Sequence, residues 1–84
     1  MDAALITTTA YAWLGKITRN DERFVHLEKA SRVFNDGRFG AFVREGRHEN
    51  AEVEHVGEDT VVQIPHTAIV DMVEWKHPLP TDDQ

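Results

Sequence analysis

Residues 12–30, AWLGKITRNDERFVHLEKA, decide the fold, because in them two apolar runs flank a polar turn. Apolar and polar side chains alternate across residues 10–18 and, less regularly, across residues 23–34. Since successive side chains of a strand point to opposite faces, this alternation predicts two strands. Residues 19–22 between them include an Asn-Asp pair, which tolerates left-handed backbone angles and bonds to its own main chain. The stretch therefore predicts an antiparallel hairpin.

A bend is predicted within this hairpin. Gly15 lies inside the first apolar run, and a glycine in the middle of a strand is typical of a sharp bend or a close backbone approach. In the second strand the alternation shifts near Ala30 and Ser31, which predicts a bulge. Both features indicate a strongly curved antiparallel sheet.

The middle of the chain, residues 35–52, interrupts the strand pattern. Phe39, Phe42 and Val43 recur at helical spacing before Gly46, which predicts one or two helical turns or an aromatic lid. If this insertion folds back, its phenylalanines cap the sheet. If it projects, they offer an apolar patch to a partner.

Three more strands are predicted in the remaining sequence. Residues 53–56 and 60–64 indicate a hairpin whose turn contains Gly57. Residues 68–75 carry large apolar side chains on both strand faces, so this strand is expected to be covered on both sides. The proline-containing tail, residues 78–84, cannot continue a central strand and is expected to be mobile.

Length and composition limit the classes of protein that the chain can belong to. Its 84 residues predict one small domain, which cannot bury an extensive core and is a candidate for self-association. It has no cysteine, which excludes disulfides and thiolate metal sites. No apolar run approaches the roughly 20 residues that span a bilayer, and a cytoplasmic location without membrane partners is therefore expected.

Charge is distributed unevenly along the chain, whose formal net charge is -6. Residues 16–47 hold eight basic side chains against five acidic ones, whereas residues 48–84 hold nine acids and a single lysine. These segments are either solvated faces or a basic surface for an anionic ligand with the acidic half elsewhere. A phosphate or nucleic-acid contact at Arg38, Arg44 and Arg47 is one form of the second interpretation.

The run from Gly15 to Ala30 resembles the first sequence motif of the Sm-like family. In that family a strand with an internal glycine leads through a turn aspartate, here Asp21, into an apolar strand that ends in small or polar residues. Residues 62–70, VQIPHTAIV, are similar to the second family motif, in which two short strands are joined by a tight turn. The chain departs from compact members by the insertion at residues 35–52, between the third and fourth strands, and by the lack of a clear N-terminal helix.

The resemblance implies a single Sm-like domain over residues 1–84. Its fold would be all-β, a small and strongly bent five-stranded antiparallel barrel with a short helical or loop insertion. In this family the fourth and fifth strands join neighbouring subunits into a ring, which removes exposed sheet edges. The resemblance therefore implies a cyclic homo-oligomer whose interface residues are Ile64, Ile69, Met72, Val73 and Trp75.

Sm-like rings also have a central pore that can hold single-stranded RNA. The residues that the resemblance places at this pore are Asp21, Arg23, Phe24, His26 and His66. Phe24 or His26 would stack on a base, and Arg23 would contact a phosphate. The alternative interpretation gives these residues structural roles, with Phe24 in the core, the histidines bonded to backbone and Arg23 solvated.

No pattern in the sequence predicts an enzyme, a cofactor, a metal site or a small-molecule substrate. His48 and His55 lie in an acidic stretch, but their spacing matches no known metal motif. Ser31, the sole serine, lies in an expected strand without a nucleophile elbow. Single-stranded RNA binding is therefore the leading expectation. The alternative, which the net acidity favours, is an oligomeric structural or protein-interaction module without RNA binding.

Overall fold

The structure is a computed structural model that describes residues 1–46 and 50–83. These residues form a predominantly antiparallel β protein, as the sequence predicts, with one short helix among them. The elements are β1 (Ala3–Thr8), β2 (Ala12–Asn20), β3 (Phe24–Asn35), α1 (Phe39–Glu45), β4 (Glu52–His55), β5 (Val62–Pro65), a 3-10 turn (His66–Ala68) and β6 (Ile69–Glu74).

The strands form one sheet in the order β4-β3-β2-β1-β6, and β5 pairs with β3 beyond the end of β4. The 3-10 turn of three residues joins β5 to β6, although these two strands pair with β3 and β1 respectively. The sheet must therefore bend strongly between β1 and β3. Within the described residues no ladder joins β6 to β4 or β5, so the sheet is open. The expected five-stranded closed barrel is corrected to six strands in an open sheet.

The additional strand is β1, which sequence analysis did not identify. Its apolar run is short, and two alanines precede it while threonines follow it. It nevertheless lies between β2 and β6 and buries Ala4, Leu5 and Ile6. A strand that is covered on both faces is apolar on both, so it lacks the alternation that identifies a half-buried strand.

The predicted hairpin of residues 53–56 and 60–64 is wrong. β4 and β5 do not pair with each other, and both run antiparallel to β3, with Val53 opposite Val33 and Ile64 opposite Val25. β3 has 12 residues and accommodates the two short strands one after the other. The residues around Gly57, whose φ is 111°, form a loop that interrupts this run without reversing the chain direction.

The predicted bend at Gly15 is confirmed. The register of β2 against β3 shifts there, so that Lys29 and Ala30 lie opposite the glycine, and Lys29 adopts a positive φ of 52°. A Cβ atom on Gly15 would lie 3.2 Å from Leu27 Cβ and 3.3 Å from Ala30 Cα. The absence of a side chain therefore permits close contact between the two strands where the sheet curves.

The sheet buries both of its faces. The two faces of β1 contribute to different cores, since adjacent side chains of a strand point in opposite directions. The core beneath α1, here called the helix-side core, contains Leu5, Leu14, Val33, Phe42, Ala51, Val53 and Trp75. The core on the opposite face, here called the inner core, contains Ala4, Ile6, Val25, Leu27, Ala30 and Ile64.

The insertion folds back onto the sheet through α1. The helix ends at Gly46, whose φ is 84°, which confirms the prediction of a short helix before a terminal glycine. Phe42 is 1% exposed and its ring centroid lies 5.1 Å from that of Trp75. Phe39, in the first turn of the helix, is about half exposed. The expected insertion also includes Arg47, His48 and Glu49, which lie outside the described residues.

The tail, expected to be mobile, makes specific contacts with the rest of the chain. The carbonyl oxygen of Pro78 lies 3.4 Å from the Trp75 indole nitrogen that donates to it, and Leu79 packs against the helix-side core. Asp83 Oδ1 accepts a hydrogen bond of 3.0 Å from the backbone N–H of His55. Residues 78–83 form no strand, as predicted, and the chain follows the surface towards β4. Gln84 lies outside the described residues.

Candidate functional site

The best-organised polar site lies where the β2–β3 turn meets the end of β5. Asp21 is its centre. One carboxylate oxygen, Oδ1, accepts hydrogen bonds from the backbone N–H groups of Arg23 at 2.9 Å and Phe24 at 2.8 Å. The Asp21 N–H donates in turn to the Phe24 carbonyl at 3.0 Å. An aspartate that bonds to its own main chain two and three residues ahead fixes the turn, which explains the aspartate at position 21.

His66 ties a second turn to the first. Its backbone N–H donates to the carbonyl oxygen of Arg23 at 2.9 Å, and its Nε2 donates to the carbonyl oxygen of Asp21 at 2.9 Å. Two turns that are 45 residues apart in sequence are thereby joined. We call the side chains assembled at this junction the turn cluster, which consists of Arg19, Asp21, Arg23, Phe24, His26, Gln63 and His66.

His26 is a positioning residue within the turn cluster. Its Nε2 lies 2.9 Å from Asp21 Oδ2, and its Nδ1 lies 3.4 Å from the side-chain nitrogen of Gln63. An amide nitrogen can only donate, so Nδ1 acts as the acceptor and the hydrogen-bond partners assign the proton to Nε2. Both ring nitrogens of His26 are engaged in hydrogen bonds, and its side chain is mostly buried. The ring is therefore suited to orienting the turn and not to stacking on a base.

Hydrogen bonds keep Asp21 anionic. The backbone N–H of Arg23 lowers the pKa of the Asp21 carboxyl most, followed by the His26 side chain and the N–H of Phe24, and together they hold this pKa well below its usual range. Arg19 lies nearby, with its Nε 3.5 Å from Asp21 Oδ2. The carboxylate is thus committed to organising the turn, while most of the Arg19 side chain is exposed to solvent.

An Asp21→Asn substitution is expected to lower the melting temperature at neutral pH, because the amide cannot supply both anionic acceptors. The folded pKa of Asp21 lies below the unfolded value of about 3.9, so its stabilisation is present above that pH and is lost as the pH falls. The difference between variant and wild type should therefore shrink in acid. Thermal melts at neutral pH and near pH 3 test this.

The matched control is Asp2→Asn, because Asp2 is exposed and its side chain makes no hydrogen bond among the described residues. This variant should melt like the wild type at both pH values. A difference between Asp21→Asn and the wild type that is equally large at neutral and acidic pH would contradict the electrostatic role of Asp21.

The structure brings together all five residues that the resemblance places at an RNA pore. Arg23 and His66 are exposed, whereas Asp21, Phe24 and His26 are half-buried. The ring of Phe24 contacts the edge of the His26 ring, with the centroids 6.4 Å apart at 73°. Sequence reasoning did not identify Arg19 and Gln63. The available signals were the place of Arg19 in the predicted turn and that of Gln63 in the segment that resembles the second motif.

The expected interface residues divide into two groups. Ile64 and Trp75 are almost fully buried within the single chain, so their side chains are not available to a partner. The other three, Ile69, Met72 and Val73, are half-buried on β6. Sequence reasoning omitted two exposed apolar residues, Val61 just before β5 and Val70 within β6. Within the described part of the chain, β5 pairs only with β3, and β6 pairs only with β1.

Ser31, His55 and Glu58 form a second polar group. Ser31 Oγ lies 3.4 Å from His55 Nδ1, and His55 Nε2 lies 3.7 Å from Glu58 Oε1. Ser31 is completely buried, so a substrate cannot reach its hydroxyl group. Across residues 1–46 and 50–83, no three His, Asp or Glu side chains are grouped so as to hold a metal ion, and no helix is long and apolar enough to cross a membrane. His48 and Glu49 lie outside the described residues.

Comparison of this chain with protein-family models, curated proteins and solved structures found no match. Its function must therefore be inferred from its own residues. The turn cluster is the part of the described structure that combines a fixed backbone, exposed cations and an accessible aromatic ring, three features that nucleic-acid sites use.

Proposed function

We propose that this chain is an Sm-like subunit that forms a cyclic homo-oligomer and binds single-stranded RNA at the turn cluster. The observation that carries this proposal is the joining of the Asp21 turn to His66, which assembles Arg23, Phe24 and His66 from distant parts of the sequence. The alternative is an oligomeric structural or protein-interaction module with the same fold and no RNA function.

The strand arrangement supports the Sm-like part of the proposal. β1, β2 and β3 form a meander that is bent at Gly15, and β6 returns to lie beside β1. β5 and β6 are separated only by the 3-10 turn, in the position of the second motif. The inner core lies on one face of this curved sheet. α1 belongs to the insertion and packs on the opposite face, and β4, which follows the insertion, is an edge strand of the sheet.

Each side chain of the turn cluster has a distinct role in the proposed RNA contact. Phe24 provides a ring face for a base, a contact of about 1–3 kcal/mol per base. Arg23 and Arg19 lie on either side of the turn and can contact phosphates, since a guanidinium forms two parallel hydrogen bonds with such groups. Gln63 and His66 are exposed polar side chains beside the turn and can contact the edge of a base. Asp21 and His26 hold the backbone in place.

The ring part of the proposal depends on the free edges of β5 and β6. An exposed edge presents unpaired N–H and C=O groups to another chain, and Val61 and Val70 add exposed apolar surface beside these edges. Pairing β5 of one subunit with β6 of the next would close both edges. Because Gln63 belongs both to β5 and to the turn cluster, such pairing would bring the turn clusters of successive subunits close together.

The net charge of the chain favours the alternative. A net charge of -6 slows the approach of a polyanion, and RNA binding requires an accessible positive surface. Locally, the Asp21 carboxylate is occupied by four hydrogen-bonding or ionic contacts, and the exposed charges beside it are the cations of Arg19 and Arg23 and the carboxylate of Glu22. Direct binding experiments distinguish the two functions.

A Phe24→Leu substitution is expected to weaken RNA binding about tenfold to a hundredfold, because leucine retains apolar volume but cannot stack on a base. Fluorescence anisotropy with labelled oligouridylate and oligoadenylate at low salt measures this effect. Phe39→Leu is the matched control, since Phe39 is an exposed phenylalanine remote in sequence from the turn cluster. If wild type, Phe24→Leu and Phe39→Leu all bind equally, or none binds, the alternative function is favoured.

A further inference from the structure

We infer that the outer edge of β4 is a docking site for an extended basic peptide, which adds to the sheet as a further strand. This inference concerns the edge strand β4 and is independent of the RNA proposal. It rests on three observations: the direction of the β4 backbone groups, a groove beside them, and the charge of the groove lining. The groove lies between β4 and the tail and is lined by Phe34, Glu52, Val53, Glu54 and Asp83.

The first observation is the direction of the backbone groups. The N–H of Val56, just after β4, donates to the Ala30 carbonyl of β3 at 3.0 Å. Because N–H groups alternate along a strand, those of Val53 and His55 point away from β3. The N–H of His55 does so and donates to Asp83 Oδ1 at 3.0 Å. No other strand lies along this edge within residues 1–46 and 50–83.

The second observation is the space beside these groups. The groove is open and has a volume of about 350 Å³. Phe34, on one wall, is more than half exposed, which is unusual for a large aromatic side chain. Asp83, on the other wall, provides an oxygen atom where the carbonyl of an added strand would lie. The contact with the tail therefore shows that an outward N–H group of β4 can donate to an oxygen atom outside the sheet.

The third observation is charge, which identifies the occupant. Three carboxylates line the groove, those of Glu52, Glu54 and Asp83, and no basic side chain lines it. None of these acids lies within 4.0 Å of a cation in the described part of the chain. The nearest arginine in the ladder, Arg32, is opposite Glu54 but stacks on the rings of Tyr11 and Trp13 instead. A polyanion such as RNA is thus disfavoured here, and a cationic peptide is favoured.

The expected binding mode follows from strand geometry. An added strand would bond to the outward groups of Val53 and His55, displacing Asp83 from the latter. Its side chains would alternate between the two faces. Basic residues would lie on the face of Glu52, Glu54 and Phe34, where their aliphatic stems would cover part of the Phe34 ring. Main-chain bonds would supply affinity, and the acidic side chains would select the sequence.

The probe is a labelled synthetic peptide of about seven residues that alternates lysine and valine. A second peptide has the same side chains but is methylated at every backbone nitrogen, so it keeps the charge and cannot donate to β4. Fluorescence anisotropy should show that methylation weakens binding at least about tenfold, the effect of losing one or two hydrogen bonds. Equal binding of both peptides, or no binding of the first, would overturn the inference.

Protein variants locate the site. Glu52→Lys combined with Glu54→Lys should weaken binding at least about tenfold, because both side chains are exposed and the change reverses the charge of the groove. The control is Asp2→Lys combined with Glu45→Lys, which makes the same charge change at exposed residues that do not line the groove. Equal losses in both double variants would show that only net charge matters, and the inference would fail. It would also fail if the backbone amide signals of Val53 and His55 in an NMR titration responded to single-stranded RNA and not to the peptide.

Discussion

A Gln63→Pro variant should be a folded monomer under conditions in which the wild-type chain forms a ring. His66 donates its N–H to the carbonyl oxygen of Arg23, just before β3, so alternation directs the N–H groups of Val62 and Ile64 towards β3 and that of Gln63 outwards. The next outward residue is Pro65, which has no N–H. Gln63 is therefore the only residue of β5 with an outward donor. A proline there removes the donor and blocks strand pairing on that side.

The single chain should tolerate this substitution, because proline is compatible with an edge strand when its missing N–H would face away from the sheet. Pro65 already occupies such a position. The control is Gln63→Thr, which also removes the amide side chain but keeps the backbone N–H. Native mass spectrometry should show a ring for Gln63→Thr and a monomer for Gln63→Pro, with similar circular dichroism. A ring of unchanged size in Gln63→Pro would exclude β5 as the interface.

A Phe42→Ala variant should lose about 3–5 kcal/mol of unfolding free energy, as large-to-small substitutions of a buried phenylalanine do. Among residues 1–46 and 50–83, Phe42 is the largest fully buried side chain, and it connects α1 to Trp75 and β1 through the helix-side core. Single domains have only about 5–15 kcal/mol of stability, and a small domain is expected at the low end. Urea denaturation followed by tryptophan fluorescence measures the loss.

The matched control for this variant is Phe39→Ala in the same helix. Phe39 is 49% exposed, so its removal should change the free energy by less than about 1 kcal/mol. If the two variants have the same stability, α1 does not contribute to the core, and the alternative in which the insertion projects from the sheet would be restored.

The elements predicted correctly from sequence are those specified by local chemistry. Gly15 and the alternation shift near Ala30 predicted the bend, because both features act on the chain within a few residues. The spacing of Phe39 and Phe42 before Gly46 predicted α1 for the same reason. Turn chemistry at Asp21 likewise depends on hydrogen bonds to neighbours two and three residues away.

Strand pairing was harder to predict from the sequence, because it depends on contacts between distant segments of the chain. The turn residues around Gly57 are compatible with a hairpin, and only the length of β3 explains why β4 and β5 both pair with it instead. β1 was missed because its residues are buried on both faces and show no alternation. In the candidate site, the approach of His66 to Asp21 follows from the fold, and the sequence suggested it only through the family resemblance.

The most direct test of the proposed function is native mass spectrometry of the wild-type protein purified at low salt without nuclease. One spectrum reports both the number of subunits and any retained nucleic acid. We predict a single ring mass together with additional mass that ribonuclease removes. A bare ring would contradict RNA binding and favour the structural or protein-interaction module. A monomer without bound RNA would contradict the Sm-like proposal as a whole.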